Sequence, residues 1–228
     1  NAILEKKPFF VWYAPFLPHT PHNPPARLLE QYADVKDPAK RKYLAMVEWM
    51  DETTGELLDM LEEKKVADNT LVIYLADNGW NAFGKAFPYE NGVRTPITLR
   101  WPSRVHPAID TNDLATNLDL MPTILTACHA AMPQGLPGVN LLDPAQVQYR
   151  KEIFLANYAH DMVAADAPEK SLWTRSCIDG NWKLILWQDP APKVLPFNGG
   201  HRRKTLPLAG NNKNIELFDL AVDPHETK

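Results

Sequence analysis

Apolar residues run without interruption through PFFVWYA at positions 8–14, a stretch too short for a helix and closed by Pro15. Such a run predicts a strand buried on both faces, the habit of parallel sheets. TLVIYLA at 70–76 and TPITLRW at 95–101 predict two more. Between the first and second runs the period changes, with Tyr43, Val47, Met50, Thr54, Leu57 and Leu61 recurring at helical spacing. Asp37 supplies an N-cap and Pro38 a first-turn proline, so the pattern predicts one long amphipathic helix over about 38–64, its closing lysines suited to the helix dipole. Strand, helix, strand in that order predicts a right-handed crossover unit. A shorter helix is predicted over 120–130, with Pro122 in its first turn.

From position 151 the pattern shifts again. Short runs at 153–155, 173–178, 182–187 and 215–218 alternate with turn signals, and Asp179-Gly180-Asn181 reads as a tight hairpin turn between the middle two. The expected architecture is α/β: a partial mixed or parallel sheet flanked by helices over residues 1–148, then a small antiparallel sheet subdomain over 149–228. No internal repeat is visible.

Composition adds exclusions. With 45% hydrophobic and 23% charged residues the chain has the makings of a substantial core. Its 21 prolines cluster at 15–25 and 190–196, which predicts long structured loops, a common place for sites. A net charge of −4, and no basic run denser than His201-Arg202-Arg203-Lys204, argue against a nucleic-acid partner. No apolar stretch approaches the ~18 residues that span a bilayer. Residues 1–5 lack the charged-then-apolar order of a signal peptide. Cys128 and Cys177, far apart in sequence, read as two unrelated buried thiols rather than a disulfide.

Asp77-Asn78-Gly79 closes the second strand run. This places two hard oxygen donors, suited to Ca²⁺ or Mg²⁺, at a strand's carboxyl end, where open α/β sheets bind ligands. The same tripeptide is also ordinary turn chemistry. The first run leads into Pro18-His19-Thr20-Pro21-His22-Asn23-Pro24-Pro25. An imidazole on this proline-stiffened loop would bind an oxyanion or protonate a leaving group, or both histidines simply face solvent. Lys85 offers a point charge for a tetrahedral anion.

Taken in order, KPFFVWYAPFLPHTPHNPP, TLVIYLADNG, GKAFPYENGVRTPITLRWP, LDLMPTIL and ELFDLAVDPHETK resemble the arylsulfatase family of the alkaline phosphatase-like superfamily along essentially the whole chain. The resemblance implies that Asp77 and Asn78 are calcium ligands and that Lys85 binds sulfate oxygens. Because the family pattern is Pro-His-x-Pro, it implies His19 as the loop histidine acting on sulfate and leaving group, with His22 lining the substrate site. Glu90 and Arg94 occupy the family's Glu-x-Gly-x-Arg positions and read as a structural ion pair. Trp80 either flanks the substrate or packs.

The family's paired Asp-Asp ligands, and its Cys-x-Pro-x-Arg motif that matures to formylglycine, have no counterpart here. Cys128 is followed by His129-Ala130, Cys177 by Ile178-Asp179, and Pro102-Ser103-Arg104 imitates only the tail of the motif. The expectation is a C-terminal portion that begins after those elements and carries part of a calcium and sulfate site, inactive alone. The resemblance further implies a sulfate ester substrate, of which a sulfated glycan is one form, and a periplasmic or secreted setting. A phosphoester or phosphonate hydrolase of the same superfamily, or a noncatalytic homologue that binds sulfated ligands, are the rival readings. Specificity is expected from the variable loops and from the late sheet around 157–161.

Overall fold

A computed structural model of the chain describes residues 5, 7–79, 87–158, 166–188 and 215–227. Two compact units are present, one of residues 1–71 with 101–106 and the other of 72–100 with 107–228. The boundary expected near 148 lies inside the second of these.

The first unit is helical. α1 (Ala26–Gln31) packs on α2 (Pro38–Glu63), whose N-cap is Asp37 as the sequence predicts. The Asp37 carboxylate accepts the Ala39 and Lys40 N–H groups at 2.9 and 3.3 Å, satisfying two donors that the helix leaves unpaired. Leu28, Ala45, Met46 and Leu61 are buried, while Arg27 pairs with Glu52 and Tyr32 donates to Glu48 on the outside of the helix pair. Trp101 closes the unit. Its Nε1 donates to the Asp68 carbonyl at 3.1 Å, and the Arg104 guanidinium lies 4.6 Å over its ring.

The second unit holds two sheets. β1 (Val72–Leu75) and β2 (Ile97–Arg100) pair antiparallel, Val72 opposite Arg100 and Leu75 opposite Ile97, with the short helix α3 (Glu90–Val93) between them in sequence. After α4 (Leu120–Ala127) and α5 (Pro144–Tyr149) come β3 (Glu152–Tyr158), β4 (Leu172–Asp179), β5 (Trp182–Trp187) and β6 (Ile215–Asp219). These last four form one antiparallel sheet in sequence order. Alternation decides what it buries: Leu172, Thr174, Ser176 and Ile178 from β4, Lys183, Ile185 and Trp187 from β5, and Glu216 and Phe218 from β6. Gly180 takes φ +55° in the two-residue loop joining Asp179 to Trp182, the first-position glycine of a type II′ hairpin.

Two expectations are corrected. Residues 8–14 belong to no strand ladder, and Phe10, Val11 and Trp12 are exposed, Trp12 by 83%. The runs at 70–76 and 95–101 do become β1 and β2, paired antiparallel with each other, and the crossover expected from the first run through α2 to the second lacks its first strand. The physical reason is common to both. A continuous apolar run shows that a segment suits burial, whereas strand direction and pairing depend on which neighbour reaches its edge.

Candidate functional site

Asp77 and Asn78 follow β1 as a bend, with the Asp77 carboxylate exposed and Asn78 half-buried. The Asn78 Nδ2 donates to the Gly79 carbonyl at 3.0 Å, so its Oδ1 is not engaged by that bond. Gly79 makes the bend possible by close approach. Its N–H donates to the Gly92 carbonyl at 2.8 Å, and a Cβ on it would sit 2.2 Å from the Asn91 carbonyl oxygen. The donor set is therefore two hard oxygens at a strand end, chemistry that fits part of a calcium shell of about six to eight oxygens. Among the described residues no group of three or more His, Cys, Asp or Glu side chains gathers as a metal cluster.

The histidine loop belongs to the first unit. His19 is exposed, with its ring 4.7 Å from that of Phe16 and its Nδ1 2.7 Å from the Thr20 carbonyl. A carbonyl only accepts, so that Nδ1 carries the proton and Nε2 is left to exchange one. His22 is half-buried against Tyr43, their ring centroids 5.8 Å apart. Lys85 and Trp80 lie outside the described residues. Cys177 sits within the β4 ladder opposite Phe154 and Leu184, and Cys128 closes α4, so neither is set in a sequence or turn that fits a formylglycine precursor.

Glu90 and Arg94 do form the expected ion pair, at 3.6 Å. The sequence reading missed what surrounds it. Lys183 Nζ lies 3.0 Å from Glu90 Oε1 and 2.8 Å from Glu226 Oε1, with the lysine fully buried. Beside it, Glu216 accepts from Tyr89 Oη and from Trp187 Nε1, each at 3.1 Å. Burial, then the Glu216 charge, push the Tyr89 phenol well above its ordinary range. No sequence signal marked it: Lys183 and Glu216 share a buried face with Ile185, Trp187 and Phe218, whereas the opposite face, with Trp182, Leu184, Leu186, Ile215 and Leu217, is the more apolar in sequence. A second buried pair joins Asp119 to Arg150, with both guanidinium nitrogens 2.6 Å from the carboxylate.

Residues 2–130 match the family described as Sulfatase, and residues 77–192 match N-sulphoglucosamine sulphohydrolase, C-terminal. The chain therefore belongs to the sulfatase family, an alkaline phosphatase-like α/β fold with a C-terminal four-stranded antiparallel sheet. It is similar to an endo-4-O-sulfatase of Bacteroides thetaiotaomicron, 28% identical over 97% of this chain and 47% of that protein. A solved structure concerned with glycosaminoglycan metabolism by the same organism, 22% identical with a TM-score of 0.73, covers 98% of this chain and 49% of that one. Another, in complex with its substrate D-glucosamine-2-N,6-O-disulfate, is 25% identical with a TM-score of 0.55 over 82% of this chain and 35% of that one. The chain spans less than half the length of the curated relatives it matches. No helix among the described residues is long and apolar enough to cross a membrane.

Proposed function

We propose that this chain supplies part of the calcium and sulfate site of an enzyme that hydrolyses sulfate esters, with a sulfated sugar as substrate. The observation that carries this reading is the sulfatase match over residues 2–130, which includes Asp77-Asn78 at the end of β1 and the His19 loop. Asp77 and the Asn78 Oδ1 would hold the ion, and Lys85 would meet the sulfate oxygens. Calcium, when bound, neutralises charge on the nonbridging oxygens. His19, its Nδ1–H committed to the Thr20 carbonyl, would hold or release a proton at Nε2 toward the leaving alcohol. The exposure of His19 and the packing of His22 against Tyr43 support this division of roles. The complex of a relative with a disulfated glucosamine supports the substrate class. Formylglycine finds no fitting residue here and would come from elsewhere in a longer protein, whose site would lie in the periplasm or outside the cell.

In a longer protein carrying this chain, Asp77→Ala should abolish calcium binding by calorimetry and, with it, aryl sulfate turnover. His19→Ala should lower turnover about 10²-fold, and His22→Ala much less. Equal, small losses from the two histidines would reduce the loop to solvent-facing residues. The chain alone should show no turnover above background. Activity in the isolated chain that disappears with Asp77→Ala would mean that a complete site lies within these residues.

A further inference from the structure

The buried cluster around Lys183 is linked through backbone to the end of β1. Lys183 sits between Glu90 and Glu226 at 3.0 and 2.8 Å, and a Glu226 oxygen also accepts the Glu90 N–H at 2.5 Å. Both the side chain and the first amide of α3 are thereby tied to β5 and to the turn after β6. At its other end α3 presents the Gly92 carbonyl to the Gly79 N–H, one residue from Asn78 and two from Asp77. A helix of four residues has no stability of its own, so its position is dictated by such contacts.

We propose that Lys183 and Glu226 are positioning residues for the Asp77–Asn78 pair, acting on it through α3. The inference rests on the reading of Asp77 and Asn78 as metal ligands. Core stability is a weaker explanation of the cluster, because well-packed apolar side chains generally serve stability as well as a buried ion pair does. What a buried ammonium between two carboxylates adds is a single position for α3. Arg94, 3.6 Å from Glu90 and largely exposed, is too solvated to replace it.

Amide hydrogen exchange on the chain tests the clamp. Lys183→Met should speed exchange at Gly79 about tenfold or more, while β3, two strands away from Lys183 in the sheet, stays within about twofold of wild type. If Lys183→Met does not fold, Glu226→Gln, which retains an acceptor for the Glu90 N–H, should show the same localised rise. Unchanged exchange at Gly79, or a rise shared equally by the whole sheet, would overturn the clamp. In the longer protein Lys183→Met should also weaken calcium binding about tenfold. A calcium Kd unchanged by Asp77→Ala would instead overturn the metal-site reading beneath it, so the two failures are told apart.

Discussion

Replacing Arg150 by Met removes the charge that Asp119 depends on while keeping most of the stem that packs. Asp119 is fully buried and its carboxylate takes four donors: the Thr116 and Val139 N–H groups at 2.7 and 2.8 Å and the two Arg150 nitrogens at 2.6 Å. The Arg150 side chain is only 12% exposed, and its pairing with Asp119 raises its own pKa against the opposing effect of burial. Without the guanidinium the carboxylate keeps two neutral donors and no countercharge. Removing one partner of a buried ion pair costs about 3–5 kcal/mol. With a urea slope of about 1–3 kcal/mol per molar, the unfolding midpoint should fall by roughly 1 M or more. Far-UV circular dichroism in urea measures it. The loss should be accompanied by loosening of residues 139–141, since Val139 is held by Asp119 and the Leu141 N–H by Thr123 Oγ1 at 2.8 Å. Adding Asp119→Asn to Arg150→Met should cost less than the sum of the two single changes, because no uncompensated charge is then buried. A loss below about 1 kcal/mol for Arg150→Met at unchanged slope would show that water takes over the carboxylate, refuting the claim that the ion pair holds this corner of the unit.

Gly79→Ala should lower the thermal midpoint by roughly 2 °C or more, because its Cβ meets the Asn91 carbonyl backbone at 2.2 Å and the bond to Gly92 must break; an unchanged midpoint in calorimetry would refute that close approach. Glu226 carries a pH signature: burial raises its carboxyl above the ordinary 4.5, outweighing the hydrogen bonds from Lys183 and the Glu90 N–H. A raised folded-state value means that the folded chain binds the proton more tightly. The contribution is then fully present below the unfolded value and is lost as pH rises through the folded one. The stability of wild type relative to Glu226→Gln should therefore fall as pH climbs from about 4.5, and a difference that grows with pH would contradict the burial of this group.

Much of this protein is legible from local pattern. The Asp37 cap and the 3.6-residue period mark α2 to within a residue at either end, because a helix satisfies its backbone internally and its apolar stripe follows from its own geometry. Short apolar runs likewise mark β3, β4, β5 and β6, and Gly180 marks the turn between β4 and β5, because a two-residue hairpin loop draws on local chemistry. Only the tertiary structure decided the rest. The antiparallel pairing of β1 with β2 and the absence of a ladder over residues 8–14 depend on which edges meet, and a side-chain pattern does not encode that. The ties from Glu90 to Lys183 and Glu226 join residues more than ninety positions apart in sequence. Even the burial of Lys183 is a tertiary outcome, since Trp182, Leu184 and Leu186 form the more apolar parity of β5, and its partners are chosen by folding, because a buried charge takes whichever opposite charge the chain brings within reach.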